Sequence, residues 1–291
     1  MEKISKNDLT KIERQMFNKA RDIDVCAFNC LSSDFPKEIM LDALSMYQNK
    51  DGGFGHGVEP DNLNPNSTVF ETYMALLYCY QVGFTNYKEN EVLEQMLNKT
   101  FNYLYNRKPV WSVYDETNLK FAAAARFQTP TNSTYPKPAI VAFTIYFLDN
   151  KKAYYKKAID IINQVEKELL LASSLSFEEA FGYKLFFEVL KKKGIKVKSE
   201  LLDHFQALKD ELINRSELSE VNALYFVILD AKREEALDLI VNSRKVHGLW
   251  EVSHEWGNNY PEAESAKLKW LGLATYRSLY VLKQNNRIME D

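Results

Sequence analysis

Apolar side chains recur at helical spacing along almost the whole chain. Between Ser176 and Gly194, for example, an apolar stripe returns every four residues at Phe177, Phe181 and Leu185. A serine followed three residues later by a glutamate is typical of a helix N-terminus, and a glycine is typical of a helix C-terminus. The pattern therefore predicts one helix between Ser176 and Gly194.

Stripes of the same kind predict about eleven helices in all and very little β-structure. The other predicted helices lie near residues 9–31, 37–48, 68–82, 89–105, 138–148, 152–170, 199–213, 216–234, 233–243 and 262–284. Val110–Tyr114 and Leu249–Ser253 suggest extended chain, but both stretches are too short to build a sheet. Since no low-complexity linker interrupts the helices, the sequence predicts a single all-α domain over residues 1–291.

A glycine followed two residues later by an aromatic residue occurs twice in similar surroundings. Gly52 and Phe54 precede one predicted helix, and Gly248 and Trp250 precede another. The two glycines are 196 residues apart, which is four spans of 49, and the chain holds six spans of about that length. Each span suits one helix pair of a repeat architecture. The loop at Trp111 is a candidate for a third, degenerate copy.

The stretch YQNKDGGFG at residues 47–55 resembles the QW-type repeat of terpenoid cyclases and of protein prenyltransferase β-subunits. The longer segment GGFGHGVEPDNLNPNS, together with the apolar helix after it, looks like a bacterial group described as prenyltransferase-like or squalene-cyclase-like proteins. The resemblance is good over residues 36–83 and fair over residues 242–284. It implies an α/α toroid of about six helical hairpins, in which an outer ring of helices surrounds an inner ring and a central cavity.

The motif also has a physical explanation of its own. Gln48, at the end of a helix, can hydrogen-bond the free backbone groups of a neighbouring helix terminus. An aromatic ring after a tight glycine turn can cover the seam between two helix pairs. The sequence departs from the named enzymes, because it lacks the Asp-x-Asp-Asp acid of class II terpene cyclases and the Asp, Cys and His zinc ligands of protein prenyltransferases. We therefore predict neither of those two activities.

Three polar residues of the glycine-rich loop, His56, Glu59 and Asp61, are the candidate catalytic residues. In the toroid that the resemblance implies, loops gather at one end of the cavity, so another loop could supply a second carboxylate for an acid/base pair. The candidates for this second carboxylate are Asp115, Glu116, Glu255, Glu262 and Glu264. The alternative is that these acids solvate loops and cap helices, with Asp61 fixing a turn.

Aromatic residues in predicted loops are the candidate ligand contacts. The predicted ligand-binding residues are Trp111, Trp250, Trp256, Tyr260, His254 and Arg126. Aromatic rings at a cavity mouth can stack on sugars or enclose a hydrophobic chain. The alternative is that Trp250 seals a seam between helix pairs and that Arg126, a lone cation in an apolar run, forms a buried structural salt bridge.

Histidines beside the glycine-aromatic loops raise the question of a metal site. His56, His247 and His254 could approach one another across the cavity and share a metal or an acid/base role. None of them has the short ligand spacing that is typical of a zinc site. The sequence therefore predicts no metal site and no cofactor.

Composition narrows the possible partners. The chain has 37 basic and 40 acidic residues and a net charge of -3, which gives no bulk attraction to nucleic acid or to an anionic membrane. No N-terminal apolar segment and no window of ~18 apolar residues is present, so we expect a cytoplasmic protein without a membrane span. Cys26, Cys30 and Cys79 form no disulfide framework, and we expect reduced thiols in the core.

Three functional hypotheses are consistent with these residues. The first is an enzyme of the terpenoid-cyclase or prenyltransferase-like type, with an aromatic-lined cavity for a small or isoprenoid-like substrate. The second is a carbohydrate-active hydrolase or lyase, because α/α barrels with paired carboxylates and loop aromatics also suit glycoside cleavage. The third is a non-catalytic module that binds a small molecule. Fold alone does not separate them, since function belongs to sites.

Overall fold

The computed structural model describes residues 2–31, 35–106, 111–131, 133–252 and 255–289, and this part of the chain is all-α, as predicted. Its thirteen α-helices are α1 (Lys6–Lys19), α2 (Asp22–Asn29), α3 (Lys37–Ser45), α4 (Val69–Gln81), α5 (Glu91–Asn106), α6 (Ala125–Gln128), α7 (Pro136–Phe147), α8 (Ala153–Leu171), α9 (Phe177–Lys192), α10 (Ser199–Arg215), α11 (Ala223–Ile228), α12 (Arg233–Asn242) and α13 (Ala263–Gln284). Two short 3-10 helices cover Tyr87–Glu89 and Glu116–Lys120.

Two differences account for thirteen helices where about eleven were predicted. The stretch predicted as one helix at residues 9–31 is two helices, because the chain is extended at Ala20 and Arg21. This break lets the Arg21 side chain bind Asp24 in the next turn at 2.7 Å. The second difference is α6, a single turn that carries too few residues to show a helical period.

The helix ends predicted around α9 are confirmed. The Ser176 hydroxyl accepts a hydrogen bond from the Glu179 amide, and the Glu179 side chain accepts one from the Ser176 amide. At the other end Gly194 has a φ of 70°, a conformation that glycine adopts without steric cost. Sequence signals within four residues of each end therefore fix the length of this helix.

Extended structure is limited to isolated bridges in the described residues. Two of these bridges lie in the glycine-rich loop, where Phe54 pairs with Gln48 on one side and with Thr68 on the other. A third joins Asn62 to Ala123 and so connects that loop to the segment before α6. Very short β pieces are therefore present in loops, but not in the described parts of the two stretches that suggested them, residues 111–114 and 249–252.

Neighbouring helices pack in a regular order. α4 packs against α7, α7 against α9, α9 against α11, and α11 against α13. α13 also packs against α2, whose Asp24 accepts a hydrogen bond from Tyr78 of α4 at 2.6 Å. In a second series, α3 contacts α5, α5 contacts α8, and α8 contacts α10. Helices distant in sequence thus lie side by side, and this arrangement positions the loops of the candidate site.

Burial divides the apolar residues into two clusters that share partly buried side chains. The larger cluster includes α4, α7 and α9, and every residue of α7 is buried. The smaller cluster joins α1, α11, α12 and α13. Burial raises the pKa of Cys30 to about 11 and that of Cys79 to about 12, so both are thiols at neutral pH. Among the described residues no helix combines the length and the apolar character that a membrane crossing requires.

Candidate functional site

The loop between α3 and α4, residues 46–68, is named the Phe54 loop. It turns at Gly52, which has a φ of 92°, and then buries Phe54, whose amide donates to the hydroxyl of Thr72 at 3.0 Å. The Gln48 side chain donates to the carbonyl of Gly52 and to the carbonyl of Met96 in α5. The predicted contact of this glutamine with a neighbouring helix is therefore present, although it meets the middle of α5 rather than its terminus.

The loop between α12 and α13, residues 243–262, is named the Trp250 loop. Its backbone repeats the turn of the Phe54 loop at an offset of 196 residues. The amide of Lys245 bonds the carbonyl of Leu249 at 3.0 Å and the amide of Gly248 bonds the carbonyl of Lys245 at 2.8 Å. The amide of Trp250 donates to the hydroxyl of Thr275 at 3.1 Å.

The same three hydrogen bonds occur in the Phe54 loop. There the amide of Asn49 bonds the carbonyl of Gly53 at 2.8 Å, and the amide of Gly52 bonds the carbonyl of Asn49 at 2.9 Å. The third is the bond from Phe54 to Thr72. The repeat predicted from two glycines and two aromatic residues is therefore also a repeat of two backbone hydrogen bonds and of one bond from the aromatic residue's amide to a threonine of the next helix.

Beyond its turn, the Phe54 loop runs into the protein interior and is held through its backbone. The guanidinium of Arg21 donates to the carbonyls of Gly57 and Val58 at 2.6 and 3.0 Å. On the other side, the Glu59 amide donates to the carboxylate of Glu71 at 3.0 Å. These contacts position the Glu59 side chain, which is 3% exposed.

Backbone hydrogen bonds also join this loop to α6 and to the Trp250 loop. The amide of Ala124 donates to the carbonyl of Asp61, and the amide of Ala125 donates to the carbonyl of Trp256, both at 2.8 Å. Since α6 begins at Ala125, these two bonds determine where Arg126 lies. Three loops that are far apart in sequence therefore meet at Arg126.

Glu59, Asp61, Arg126 and Arg277 form a charged group that is named the Arg126 cluster. One nitrogen of Arg126 lies 2.8 Å from Glu59 Oε1 and 3.2 Å from Asp61 Oδ2. Arg277, from α13, approaches Glu59 Oε2 to 3.7 Å. Burial alone would lower the pKa of Arg126, but the charge of Glu59, with further contributions from Asp61 and two tyrosines, raises it. Arg126 therefore keeps its positive charge at neutral pH.

The two carboxylates of the cluster differ in how fully they are bonded. Asp61 is completely buried, and its Oδ1 accepts hydrogen bonds from the indoles of Trp256 at 2.8 Å and Trp270 at 2.5 Å. The Oε2 atom of Glu59 is buried and makes no hydrogen bond. Asp61 is therefore fully committed to holding loops together, whereas Glu59 retains an oxygen that can accept a proton or a ligand.

Glu71 lies behind the cluster in α4 and is completely buried. One of its carboxylate oxygens accepts the Glu59 amide, and the other makes no hydrogen bond. Burial raises the pKa of Glu71 well above its usual value, although the accepted amide works in the opposite direction, and the charge of Glu59 adds to the rise. We therefore expect Glu71 to keep its proton well above pH 4.5.

Three tyrosines surround the two arginines. Burial raises the pKa of Tyr73, Tyr135 and Tyr225, while the charges of Arg126 and Arg277 act in the opposite direction. The rings of Tyr73 and Tyr135 meet edge to face, with centroids 6.5 Å apart. None of the three hydroxyls hydrogen-bonds to another residue in the part of the chain that the structure describes. These hydroxyls are therefore available to a ligand.

The structure brings together Glu59, Asp61, Arg126 and Trp256 from the residues predicted by sequence. Tyr260 lies beside them: its ring meets Trp256 edge to face at 6.4 Å and its hydroxyl accepts a hydrogen bond from Gln128. Trp256 is only 5% exposed, and its indole is bonded to Asp61, so it anchors the loop in this conformation.

Other predicted residues lie elsewhere. His56 is exposed, with its ring nitrogen 3.0 Å from Asn49 Oδ1, and it makes no hydrogen bond to the Arg126 cluster in the described chain. Trp111 and Trp250 are buried, and their indoles donate to Leu104 and Ile240 in the last turns of α5 and α12. These contacts match the alternative considered above, in which a tryptophan seals a seam between helices. The proposed site therefore does not include Trp111 or Trp250. His254 lies outside the described residues.

The predicted second carboxylate does not come from the Trp250 loop. Glu255, Glu262 and Glu264 are exposed to solvent. Asp115 accepts a hydrogen bond from Thr117 at the start of a 3-10 helix, and Glu116 is exposed. These five acids therefore match the alternative considered from the sequence, in which they solvate loops and cap helices.

Sequence reasoning missed several residues of the site. Trp270, Arg277, Glu71, Tyr73 and Tyr225 lie in predicted helices, whereas the candidates were chosen among loop residues. Tyr135 lies just before α7 and was not considered. Arg277 could have been found, because it is a lone cation in the apolar run LGLATYRSLYVL, the same signal that selected Arg126. Among the described residues, no group of three or more His, Cys, Asp or Glu side chains could hold a metal ion.

Comparison with known proteins gives no relatives. No protein-family model matches the chain, and no curated protein and no solved structure matches it either. The function must therefore be inferred from the geometry of the site.

Proposed function

We propose that the helices form an α/α toroid of the terpenoid-cyclase type and that the Arg126 cluster lies at one end of its central cavity. With the single turn α6 left aside, the remaining twelve helices make six consecutive pairs. The contacts from α4 through α7, α9, α11 and α13 to α2, and from α2 to α4, suit a closed inner ring. The contacts among α3, α5, α8 and α10 suit an outer ring.

The direction of the inner helices supports the same proposal. The cluster is surrounded by residues from the N-terminal halves of α4 and α9, Tyr73 and Glu178, which are electrostatically coupled. The C-terminal halves of α4, α9 and α13 line a pocket of about 340 Å³ that includes Gln81, Glu188 and Gln284. Parallel inner helices with their N-terminal ends at the loops are what a toroid of helical hairpins requires.

In this cavity, we propose that the protein is an enzyme acting on a small polar substrate of the carbohydrate class, with Glu59 as the proton donor or acceptor. The observation that carries this proposal is the state of Glu59: its carboxylate is buried between two arginines, and its Oε2 makes no hydrogen bond. A buried carboxylate with a free oxygen beside exposed polar groups is the arrangement that general acid/base catalysis uses.

The polarity of the surroundings favours a saccharide over an isoprenoid. Among the described residues, most N–H donors of Arg277 and the three tyrosine hydroxyls have no protein hydrogen bond, and a polar ligand can supply their partners. An isoprenoid chain would leave these groups buried and unpaired, at a cost of about 1–3 kcal/mol for each. Tyrosine faces can stack on sugar rings, a role for which the sequence had suggested Trp111 and Trp256.

A ligand screen with matched variants tests this function. Neutral and acidic oligosaccharides, prenyl diphosphates and squalene are added to the purified protein, and the melting temperature is measured. We expect saccharides to raise it and to be cleaved, which a reducing-end assay detects. Glu59→Gln should lower the turnover at least about 100-fold while the protein remains folded. Glu255→Gln, which changes an exposed glutamate of the Trp250 loop, is the control and should keep full activity.

Each other outcome identifies a different function. Stabilisation by prenyl compounds alone would contradict the saccharide proposal and favour the isoprenoid hypothesis. Binding of saccharides without cleavage would make the protein a binding module. Equal turnover in Glu59→Gln and the unchanged protein would exclude Glu59 as the acid or base.

A further inference from the structure

Arg277 is a partly buried arginine whose hydrogen-bonding capacity is almost unused. Its side chain is 24% exposed, and it lies in the middle of α13. Its one hydrogen bond in the described chain is a weak contact with the sulfur of Met74 at 3.6 Å. The distance of 3.7 Å to Glu59 Oε2 allows attraction between the charges but is too long for a hydrogen bond. A guanidinium has five N–H donors, so most of those of Arg277 have no protein acceptor.

Two other arginines of the same protein show what a structural arginine looks like here. Arg21 donates to both oxygens of Asp24, to two loop carbonyls and to a tyrosine hydroxyl. Arg287 is 1% exposed and donates to Glu234, to Asp238 and to the carbonyl of Glu2. Both guanidiniums are satisfied by fixed acceptors. Arg277 is not, and its donors are therefore available to an acceptor that arrives with a ligand.

The groups around Arg277 orient such a ligand. The guanidinium carbon lies 5.6 Å from the centroid of the Trp270 ring, so the indole face supports one side of the arginine. The charge of Arg277 acts on the hydroxyls of Tyr73 and Tyr225, which have no protein hydrogen bond. Glu59, the proposed acid or base, lies on another side. A ligand group bound to Arg277 would thus be next to Glu59 and within the tyrosines.

We propose that the substrate carries a carboxylate and that Arg277 binds this carboxylate with its guanidinium fork, which makes an acidic saccharide of the uronate type the preferred ligand. This inference rests on the proposed function. The planar guanidinium matches a carboxylate with two parallel hydrogen bonds.

The charges of the site decide between a carboxylate and a phosphate. Arg126 and Arg277 pair with two acids, Glu59 and Asp61, and the charge of a third acid, Glu178, acts on Tyr225 beside them. A group that brings two negative charges would meet strong repulsion from these acids, whereas a group with one charge meets less. A carboxylate therefore suits the site better than a phosphate does.

Calorimetric titration of matched sugars tests this inference. Glucose, glucuronate and glucose 6-phosphate share one ring and differ in the group at one carbon. We expect the unchanged protein to bind glucuronate at least about tenfold more tightly than either of the others. Arg277→Met, which keeps an unbranched aliphatic stem and removes the charge and the N–H donors, should abolish this preference, so that glucuronate and glucose bind with equal affinity within about twofold. Arg277→Lys should restore part of it.

Controls separate the possible failures. Arg14→Met changes an exposed arginine of α1 and should leave all three affinities unchanged. Equal binding of glucose and glucuronate by the unchanged protein, or an undiminished preference in Arg277→Met, would overturn the inference and leave the proposed function standing. Tighter binding of glucose 6-phosphate would replace the carboxylate by a phosphate. If neither the sugars nor the oligosaccharides bind, the proposed function itself fails. The comparison of sugars in the unchanged protein decides the question even if a variant does not fold.

Discussion

The Phe54 loop and the Trp250 loop begin with the same turn and end with different tasks. In both, a glycine at positive φ, Gly52 or Gly248, is followed by a buried aromatic residue whose amide bonds a threonine of the next helix. After the turn, the Phe54 loop enters the interior, and its Asp61 is completely buried. In the described part of the Trp250 loop after its turn, exposed residues, Glu255 and Gly257, flank the buried Trp256. The shared turn joins helices, and the residues after the turn build the site.

The two loops also differ in how closely other atoms surround their glycines. A side-chain carbon at Gly52 would overlap the backbone carbonyl of Lys99, and one at Gly53 would lie 2.5 Å from the side chain of Ser67. A side-chain carbon at Gly248 would meet no atom within 4 Å. The Phe54 loop is thus tightly packed at Gly52 and Gly53, whereas the turn of the Trp250 loop has free space at Gly248. This packing suits the role proposed for Glu59, because an acid or base needs rigid support.

The largest expected effect concerns these glycines. Gly52→Ala should destabilise the protein by more than about 3 kcal/mol, because it combines a positive φ with overlap against backbone atoms that cannot move aside. Gly248→Ala, the matched change, should cost only about 1 kcal/mol, because the positive φ is its one penalty. Urea unfolding of both variants measures the difference. Equal losses would mean that the two turns are equally packed and would remove the contrast.

A smaller difference is expected at the position four residues before each glycine. Gln48 donates to Gly52, Met96 and Thr100 at 3.0, 3.1 and 3.1 Å. The corresponding Arg244 makes one ion pair, with Asp8 at 3.0 Å, and both partners are partly exposed. We expect Gln48→Ala to cost about 2 kcal/mol and Arg244→Ala less than about 1 kcal/mol in the free energy of unfolding. Thermal or urea unfolding checks this, and a larger cost at Arg244 would reverse the comparison.

The third expected effect is confined to a window of pH and concerns the residue before each threonine. Glu71 precedes Thr72, whereas Ala274 precedes Thr275. Because burial raises the pKa of Glu71 above 4.5, the folded state binds more protons than the unfolded state above that pH. Its contribution to stability therefore falls as the pH rises from about 4.5 towards the folded pKa, by at most about 1.4 kcal/mol per pH unit.

Glu71→Gln removes this titration and keeps a carbonyl oxygen that can accept the Glu59 amide. We expect the variant to gain stability over the unchanged protein as the pH is raised from 5 to 7, measured by urea unfolding at each pH. Glu264→Gln, an exposed acid in the first turn of α13, is the control and should show no such trend. A difference between Glu71→Gln and the unchanged protein that stays constant with pH would contradict the raised pKa.

The sequence predicts a structural feature well when the residues that determine it lie close together along the chain. The ends of α9 are set by Ser176, Glu179 and Gly194, all within one turn of the positions that they fix, and they were predicted correctly. The turn at Phe54 and its counterpart at Trp250 were predicted for the same reason. The break between α1 and α2 was missed; at this break Arg21 bonds a loop carbonyl 36 residues away, a contact that no local pattern indicates.

The sequence by itself determined the helices, the two repeated turns and the candidates Glu59, Asp61 and Arg126. Only the tertiary structure decided that Asp61 is saturated by Arg126, Trp256 and Trp270 while Glu59 keeps a free oxygen. The physical reason is the separation along the chain between the residues that interact. Backbone propensities and caps act over a few residues, whereas the indole of Trp270 reaches Asp61 across 209 positions of the chain, and only packing can bring such groups together.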